Sequence, residues 1–383
     1  MEIMNLTMKE TAIYIHIPFC DHKCIYCDFY SIISYDKVRL YLSSIKKEIN
    51  FFAEKFSSNR EIISIFFGGG TPSFMESEYI GEIIDEIKKC FAVKPDAEIT
   101  IETNPGTVSI NKLEKFLSTG INRISIGIQS FNEKELKFLT RIHDSNTAKQ
   151  TVRDAKSVGF DNISIDLIFN LPDQTKEIWR SNLRQAIDLP IQHISAYSLI
   201  LEPGTILNKM VLDGKVKLQS NDYDADLYEH TIRFLTGNGF IQYEVSNFAK
   251  DGYECIHNNA YWRYKDYLGF GTSAHSFVDG ERWWNYSGLN LYLESIRKKS
   301  NAIIGREILT EEQKLNEYVM LALRSKGLDL FDFEKRFKTD WLIKNKNLTA
   351  LLQKNNFVRL NHNLISLTSK GYAICDEILK KFF

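Results

Sequence analysis

The 383-residue chain contains no run of about 18 consecutive apolar residues, so no segment reads as a membrane-spanning helix. No polybasic cluster is present, and 48 Lys and Arg against 49 Asp and Glu leave a net charge of −1. That balance carries no electrostatic footprint for nucleic acid or an anionic membrane surface. The opening MEIMNLTMKE has acidic residues where a secretory leader needs an unbroken apolar stretch. Cysteine is scarce as well: there are six, three of them clustered, which is not the pattern of a secreted disulfide scaffold. These absences lead to the expectation of a cytoplasmic protein in a reducing compartment, with no nucleic-acid partner and at most transient membrane contact. An apolar content of 44% supplies enough material for one large domain and a smaller one.

What is present first is alternation. Short β-branched runs, TAIYIHIPF, IISIFF, AEITIE, RISIGIQS, NISIDLIF and HISAYSLIL, recur between Thr11 and about Pro203. Amphipathic stretches such as YLSSIKKEINFFAEKF, YIGEIIDEIKKCF and INKLEKFLSTG separate them. Near-continuous apolar strands alternating with helices predict a parallel sheet buried on both faces. Six such units favour a partial or full (β/α) barrel, with an open doubly wound sheet as the alternative. A long helix from about Ser220 leads to Gly239, then FIQYEVSNFA reads as one strand and Tyr253 to Tyr286 as irregular. From Glu311 the pattern becomes helices, then two short strands around Asn361-His362-Asn363, then a helix from Ser369, which predicts a small winged-helix-like α+β domain. Lys344, Lys346 and Lys354 there read as a solvated face. The expected divisions are residues 1–215, 216–304 and 305–383.

Cys20, Cys24 and Cys27 form C-x3-C-x2-C just past the first strand, where a barrel of this type places its chemistry. Soft thiolates at this spacing suit iron–sulfur or zinc. A closed zinc site requires four ligands, whereas a four-iron cluster on three thiolates keeps one iron open. The competing readings are a zinc site completed by His16 or His22, or three core cysteines. Cys90 and Cys375 lie on helical stripes and read as core. GGGTPS, Gly68 to Ser73, ends the second strand, and glycines there let the backbone approach a ligand. Glu102, Gln129 and Asp166 are polar positions in otherwise apolar strands, so each requires a ligand or an internal hydrogen-bond partner.

With an aromatic, Tyr26, before the last cysteine, this motif resembles the radical S-adenosylmethionine superfamily. The resemblance implies a [4Fe-4S] cluster on Cys20, Cys24 and Cys27, with S-adenosylmethionine on the open iron. Reductive cleavage of that molecule to a 5′-deoxyadenosyl radical is the family's chemistry, and it needs an external reductant. The resemblance also implies S-adenosylmethionine contacts from Tyr14, Gly69, Gly70, Thr71, Glu102, Gln129, Arg141 and Asp166. An exposed helical arginine is the bland alternative for Arg141.

YIHIPFCDHKCIYCDF, GGGTPS, IETNP, GIQSF and IDLIFNLP together resemble one lineage of that superfamily, which holds the oxygen-independent coproporphyrinogen III oxidases and the HemW-type heme chaperones. Three features favour the chaperones. The oxidase pattern continues to a further cysteine, where this chain has Phe29; barely a dozen residues precede the first strand, too few for the oxidase lid; and HNNAYW, His257 to Trp262, matches H-N-x-x-Y-W. The chaperone reading implies heme as cargo and acceptor hemoproteins such as respiratory cytochromes. His257 is the candidate axial ligand, with His275 and Cys255 as competitors, and aromatics beside it to cover a porphyrin face.

Overall fold

The computed structural model describes residues 8–383, so most of the segment read as lacking a leader lies outside the described residues. The six repeating units form strands β1 (Lys9–Ile17), β2 (Arg60–Gly69), β3 (Ala92–Thr103), β4 (Arg123–Gln129), β5 (Asn162–Phe169) and β6 (His193–Ser198). They are hydrogen-bonded in sequence order and parallel throughout. Helices such as Val38–Phe56 and Ser77–Cys90 return the chain between them. In the first of these Leu42, Ile45, Ile49 and Phe52, spaced three or four residues apart, are buried. Ser109, Asp144 and Thr175 accept backbone N–H bonds at the starts of three later helices and fix where each begins.

Four strands then complete one side and two the other. Strands β7 (Ile241–Gln242) and β8 (Asn247–Ala249) add beside β6, while β9 (Asp266–Phe270), β10 (His275–Val278), β11 (Glu281–Asn285) and β12 (Ile303–Ile308) extend beyond β1. The twelve-stranded sheet ends at β12 and β7 and does not close, so the architecture is a partial barrel. The small unit after Thr310 has its own sheet, with β13 (Leu328–Asp329), β14 (Val358–Asn361) and β15 (Leu364–Leu367) in the order β13-β15-β14. It also has its own apolar cluster, including Val319, Phe333, Trp341 and Ile378. The three lysines considered there are exposed.

Two local expectations are corrected. FIQYEVSNFA is not one strand: the chain reverses between Tyr243 and Ser246, where Glu244 accepts from the Ser246 N–H at 3.2 Å and Tyr243 N–H bonds Asn247 O at 3.2 Å. Tyr253 to Tyr286 is not irregular. It contains the helix Ile256–Trp262 and strands β9 to β11, with β9 parallel to β1. The reason is a distant charge. Arg60 at the start of β2 is buried, pairs with Asp266 at the start of β9, and bonds Asp279 in the β10–β11 turn at 2.8 Å. Sequence periodicity has no access to an ion pair across some 200 positions.

Arg60→Ala leaves Asp279 exposed and paired with Lys9, and Asp266 part-exposed and still bonded to the Asp279 N–H, so the loss is that of hydrogen bonds to charged groups. Unfolding free energy is expected to fall by about 1.5–3 kcal/mol, checked by urea denaturation. A change within experimental error would show that β9 docks without this pair.

Candidate functional site

The site is built from the ends of β1 and β2. After Ile17 the chain enters the cysteine loop, and after Gly69 it enters the glycine turn. The two are tied by main-chain bonds, Gly70 N–H to Ile17 O at 2.8 Å and Thr71 N–H to Phe19 O at 2.8 Å. A Cβ on Gly70 would sit 2.6 Å from the Phe19 carbonyl oxygen, so only glycine permits this approach. The far side of the loop is held by Cys20 N–H to Ile32 O at 3.0 Å and Ile32 N–H to Pro18 O at 2.7 Å.

A chain of polar contacts connects two of the three sulfurs. Cys20 Sγ lies 3.1 Å from Thr71 Oγ1, which accepts from Asn104 Nδ2 at 2.9 Å. Arg141 donates to Asn104 Oδ1 and to Gly127 O, both at 2.6 Å, and its Nη1 lies 3.6 Å from Cys24 Sγ. Arg141 is thus not an exposed helical arginine; it packs against the cysteine loop, and its Nε is buried without a partner among the described residues. Tyr26 packs on Leu139, Ile168 and Leu171. Burial raises the Cys20 thiol and pushes the Cys27 thiol up to about 11. Both are protonated at neutral pH until a metal's charge displaces the protons.

Among the described residues no three His, Cys, Asp or Glu side chains converge as around a single ion. A cubane takes each cysteine on a separate iron and needs no such convergence. Three soft donors on one loop, a cationic Arg141 beside one sulfur, and a glycine-lined backbone fit a cluster with one open corner.

Next to the loop, a cavity of about 300 Å³ is lined by residues of the parallel strands, from Gly69 at the end of β2 to Arg123 at the start of β4. Tyr14, Gly69, Glu102, Asp166 and His257 line it, so five positions singled out in the sequence meet there. Glu102 accepts from Gly69 N–H at 3.3 Å. Burial, and then the neighbouring Asp166, push its carboxyl up to about 8. Asp166 is also raised by burial and accepts from Ser125 Oγ at 3.3 Å. Gln129 is not among the residues lining this cavity; it ends β4 with a positive φ of 69° at a register shift, a strained position for a non-glycine residue.

A second cavity of about 960 Å³ adjoins the first, and Tyr14, Phe29 and Tyr261 line both. Its walls include Tyr264, Tyr267, Phe277 and His275. Of the candidate ligands, His257 is buried at 2% exposure, with Nδ1 3.0 Å from Ser64 Oγ and Nε2 2.9 Å from Tyr261 Oη. Burial lowers it to about 3, so its ring is neutral. Cys255 is buried with its sulfur 3.3 Å from Glu98 Oε1, and burial pushes its thiol up to about 12. His275 is exposed on the rim, stacked on Trp284.

Two residues with evident structural importance escaped the sequence reading. Glu98, buried in β3, accepts the Ile256 and His257 N–H groups, each at 3.1 Å, and so anchors the helix that carries HNNAYW. Asn104 bridges Thr71 to Arg141. Glu98 carries the same signal as Glu102, a carboxylate in an apolar strand; Asn104 lies in IETNP, where its local sequence carries no signal of a bridging role.

The radical SAM superfamily profile matches residues 14–185 and the HemN C-terminal domain profile matches residues 309–374. The chain is 32% identical to the heme chaperone HemW of Lactococcus lactis over 98% of each chain. It is 39% identical to that of Escherichia coli over 71% of this chain and 72% of the relative. The solved structure of the Escherichia coli coproporphyrinogen III oxidase HemN, described as a radical SAM enzyme, superposes with a TM-score of 0.83 at 25% identity, covering 99% of this chain and 91% of that one.

Gly70→Ala is expected to pull the cysteine loop away from the glycine turn. Iron and acid-labile sulfide after anaerobic reconstitution should drop well below the wild-type content while circular dichroism stays near wild type. Full cluster content in the variant would contradict the role given to this close approach.

Proposed function

The chain belongs to the radical SAM superfamily and to its HemW lineage, and from that premise we propose that it is a heme chaperone that binds a [4Fe-4S] cluster, S-adenosylmethionine and heme. It delivers heme to acceptor hemoproteins, respiratory cytochromes among them, in the cytoplasm and with an external reductant for the cluster. The observation that carries this reading is the pair of adjoining cavities beside the three-cysteine loop. The smaller one has buried polar groups on the strands, Glu102 and Asp166 among them, suited to a zwitterionic sulfonium. The larger lies within the range of about 300–1,000 Å³ for small-molecule sites, at the end a porphyrin needs. No helix among the described residues is long and apolar enough to cross a membrane.

In this proposal Cys20, Cys24 and Cys27 hold the cluster, and Thr71 and Arg141 fix two of the sulfurs by hydrogen bonding. Tyr14, Gly69, Gly70, Glu102, Gln129 and Asp166 belong to the S-adenosylmethionine seat, and Tyr26 packs the loop onto Leu139, Ile168 and Leu171. When bound, the cluster supplies one-electron reduction and an open iron for the sulfonium cofactor. The residues of this chain orient the cofactor, shield it from water and set the charge around it. Phe29 lines both cavities at the position where the oxidase motif has a further cysteine, which supports the chaperone over the oxidase. The proposed boundaries fall near residues 215 and 304, with the HNNAYW helix in the middle segment and the separately packed unit after it.

Anaerobically reconstituted full-length protein is expected to bind heme in a saturable optical titration and to leave coproporphyrinogen III unconverted. Clean conversion would replace this reading with the oxidase. Glu102 gives a pH test. At pH 7 its carboxyl is mostly protonated, and a cationic guest favours the carboxylate, so binding releases a proton. S-adenosylmethionine affinity, measured calorimetrically, should therefore rise from pH 6 to 8, by up to about tenfold per unit, and Glu102→Gln should flatten the profile. A flat wild-type profile would place the cationic groups away from Glu102.

A further inference from the structure

We propose that His275 is the axial ligand of the heme carried in the larger cavity, an assignment that rests on the chaperone reading. Two imidazoles line that cavity, His16 and His275. His16 is buried at 3% exposure, and both its nitrogens are engaged, Nε2 with Tyr30 O at 3.0 Å and Nδ1 with Tyr14 Oη at 3.2 Å. His275 is exposed, and its side chain reaches the rim of the cavity, where its ring nitrogens face solvent and no protein group holds them among the described residues. Iron ligation by His16 would forfeit a bond inside a packed wall, whereas ligation by His275 exchanges only bonds to water.

The ring is also held ready. His275 faces Trp284 in the β10–β11 register, and the two rings lie 5.9 Å apart with planes 23° from parallel. At the start of β10 the backbone is pinned by Gly269, where a Cβ would lie 2.1 Å from the His275 carbonyl oxygen. A preformed ligand on rigid strands loses little freedom on binding iron. Partial desolvation where the ring stacks on Trp284, and then the Arg282 guanidinium, lower the proton affinity of this otherwise exposed ring, so its neutral, ligating form prevails at pH 7.

Other donors fit less well. His257 lines the smaller cavity, and its ring is fixed by Ser64 and Tyr261. Tyr264 and Tyr267 line the larger cavity, but burial raises both phenols and disfavours the phenolate that iron requires. Their rings instead offer flat apolar surface to a macrocycle. Met320 is the remaining soft donor on the wall and is the main competitor.

The experiment is an optical heme titration of the anaerobically reconstituted full chain, with His275→Ala, His275→Met, Met320→Leu and His257→Ala in parallel. His275→Ala should bind heme at least about tenfold more weakly, with shifted absorption bands that free imidazole restores. His275→Met should give a thioether-ligated spectrum, which a merely structural role for His275 would not produce. His257→Ala and Met320→Leu should keep the wild-type band positions. Wild-type bands in His275→Ala, or their loss only in Met320→Leu or His257→Ala, would overturn the assignment while leaving the chaperone reading intact. Absence of heme binding by wild-type protein with a full cluster would overturn both.

Discussion

The constraint on which the rest depends is the contact of two loops at the ends of adjacent parallel strands. The cysteine loop and the glycine turn share two main-chain hydrogen bonds, possible because Gly70 has no Cβ to strike the Phe19 carbonyl. Backbone bonds of this kind set the position of Cys20 before any metal arrives, and Thr71, brought along by the same turn, reaches its sulfur. From Thr71 the contacts pass through Asn104 to Arg141 and back to Cys24. Loops from β1, β2, β3 and β4 therefore converge on one point, which a parallel sheet makes natural because all their carboxyl ends lie on one side.

The helix Ile256–Trp262 gives the second organising element. Its first N–H groups are capped by Glu98 from inside the sheet, so the helix is fixed to β3 rather than left as a surface excursion. That places His257 and Asn258 on the smaller cavity and Tyr261 on both. The hydrogen bond between His257 and Tyr261 lies along the partition between the two spaces. The HNNAYW motif thus forms part of the wall between the two cavities, with the Tyr261 ring shared by both.

Much of this was legible in the chain. The six parallel strands, the three-cysteine loop and the split strands around Asn361 to Asn363 follow from short-range period and local turn chemistry, which need only neighbouring residues. The polar strand positions Glu102 and Asp166 could be singled out because a carboxylate in an apolar strand requires a reason. Arg141 was legible only through family resemblance, since nothing in LTRIH says that its guanidinium folds back under a loop more than a hundred residues earlier. The addition of β9 beside β1 and the burial of His257 between Ser64 and Tyr261 were not legible at all.

By itself the sequence determined the donor set, three thiols and no fourth nearby, and the βα alternation that carries them to one edge of a sheet. Those depend on residue type and spacing along the chain. The tertiary structure alone decided which histidine has open nitrogens, which aromatics wall a common space, and that Arg60 ties β9 to the sheet. Hydrogen-bond saturation and ion pairing are settled between residues far apart in the chain, and no local pattern encodes them.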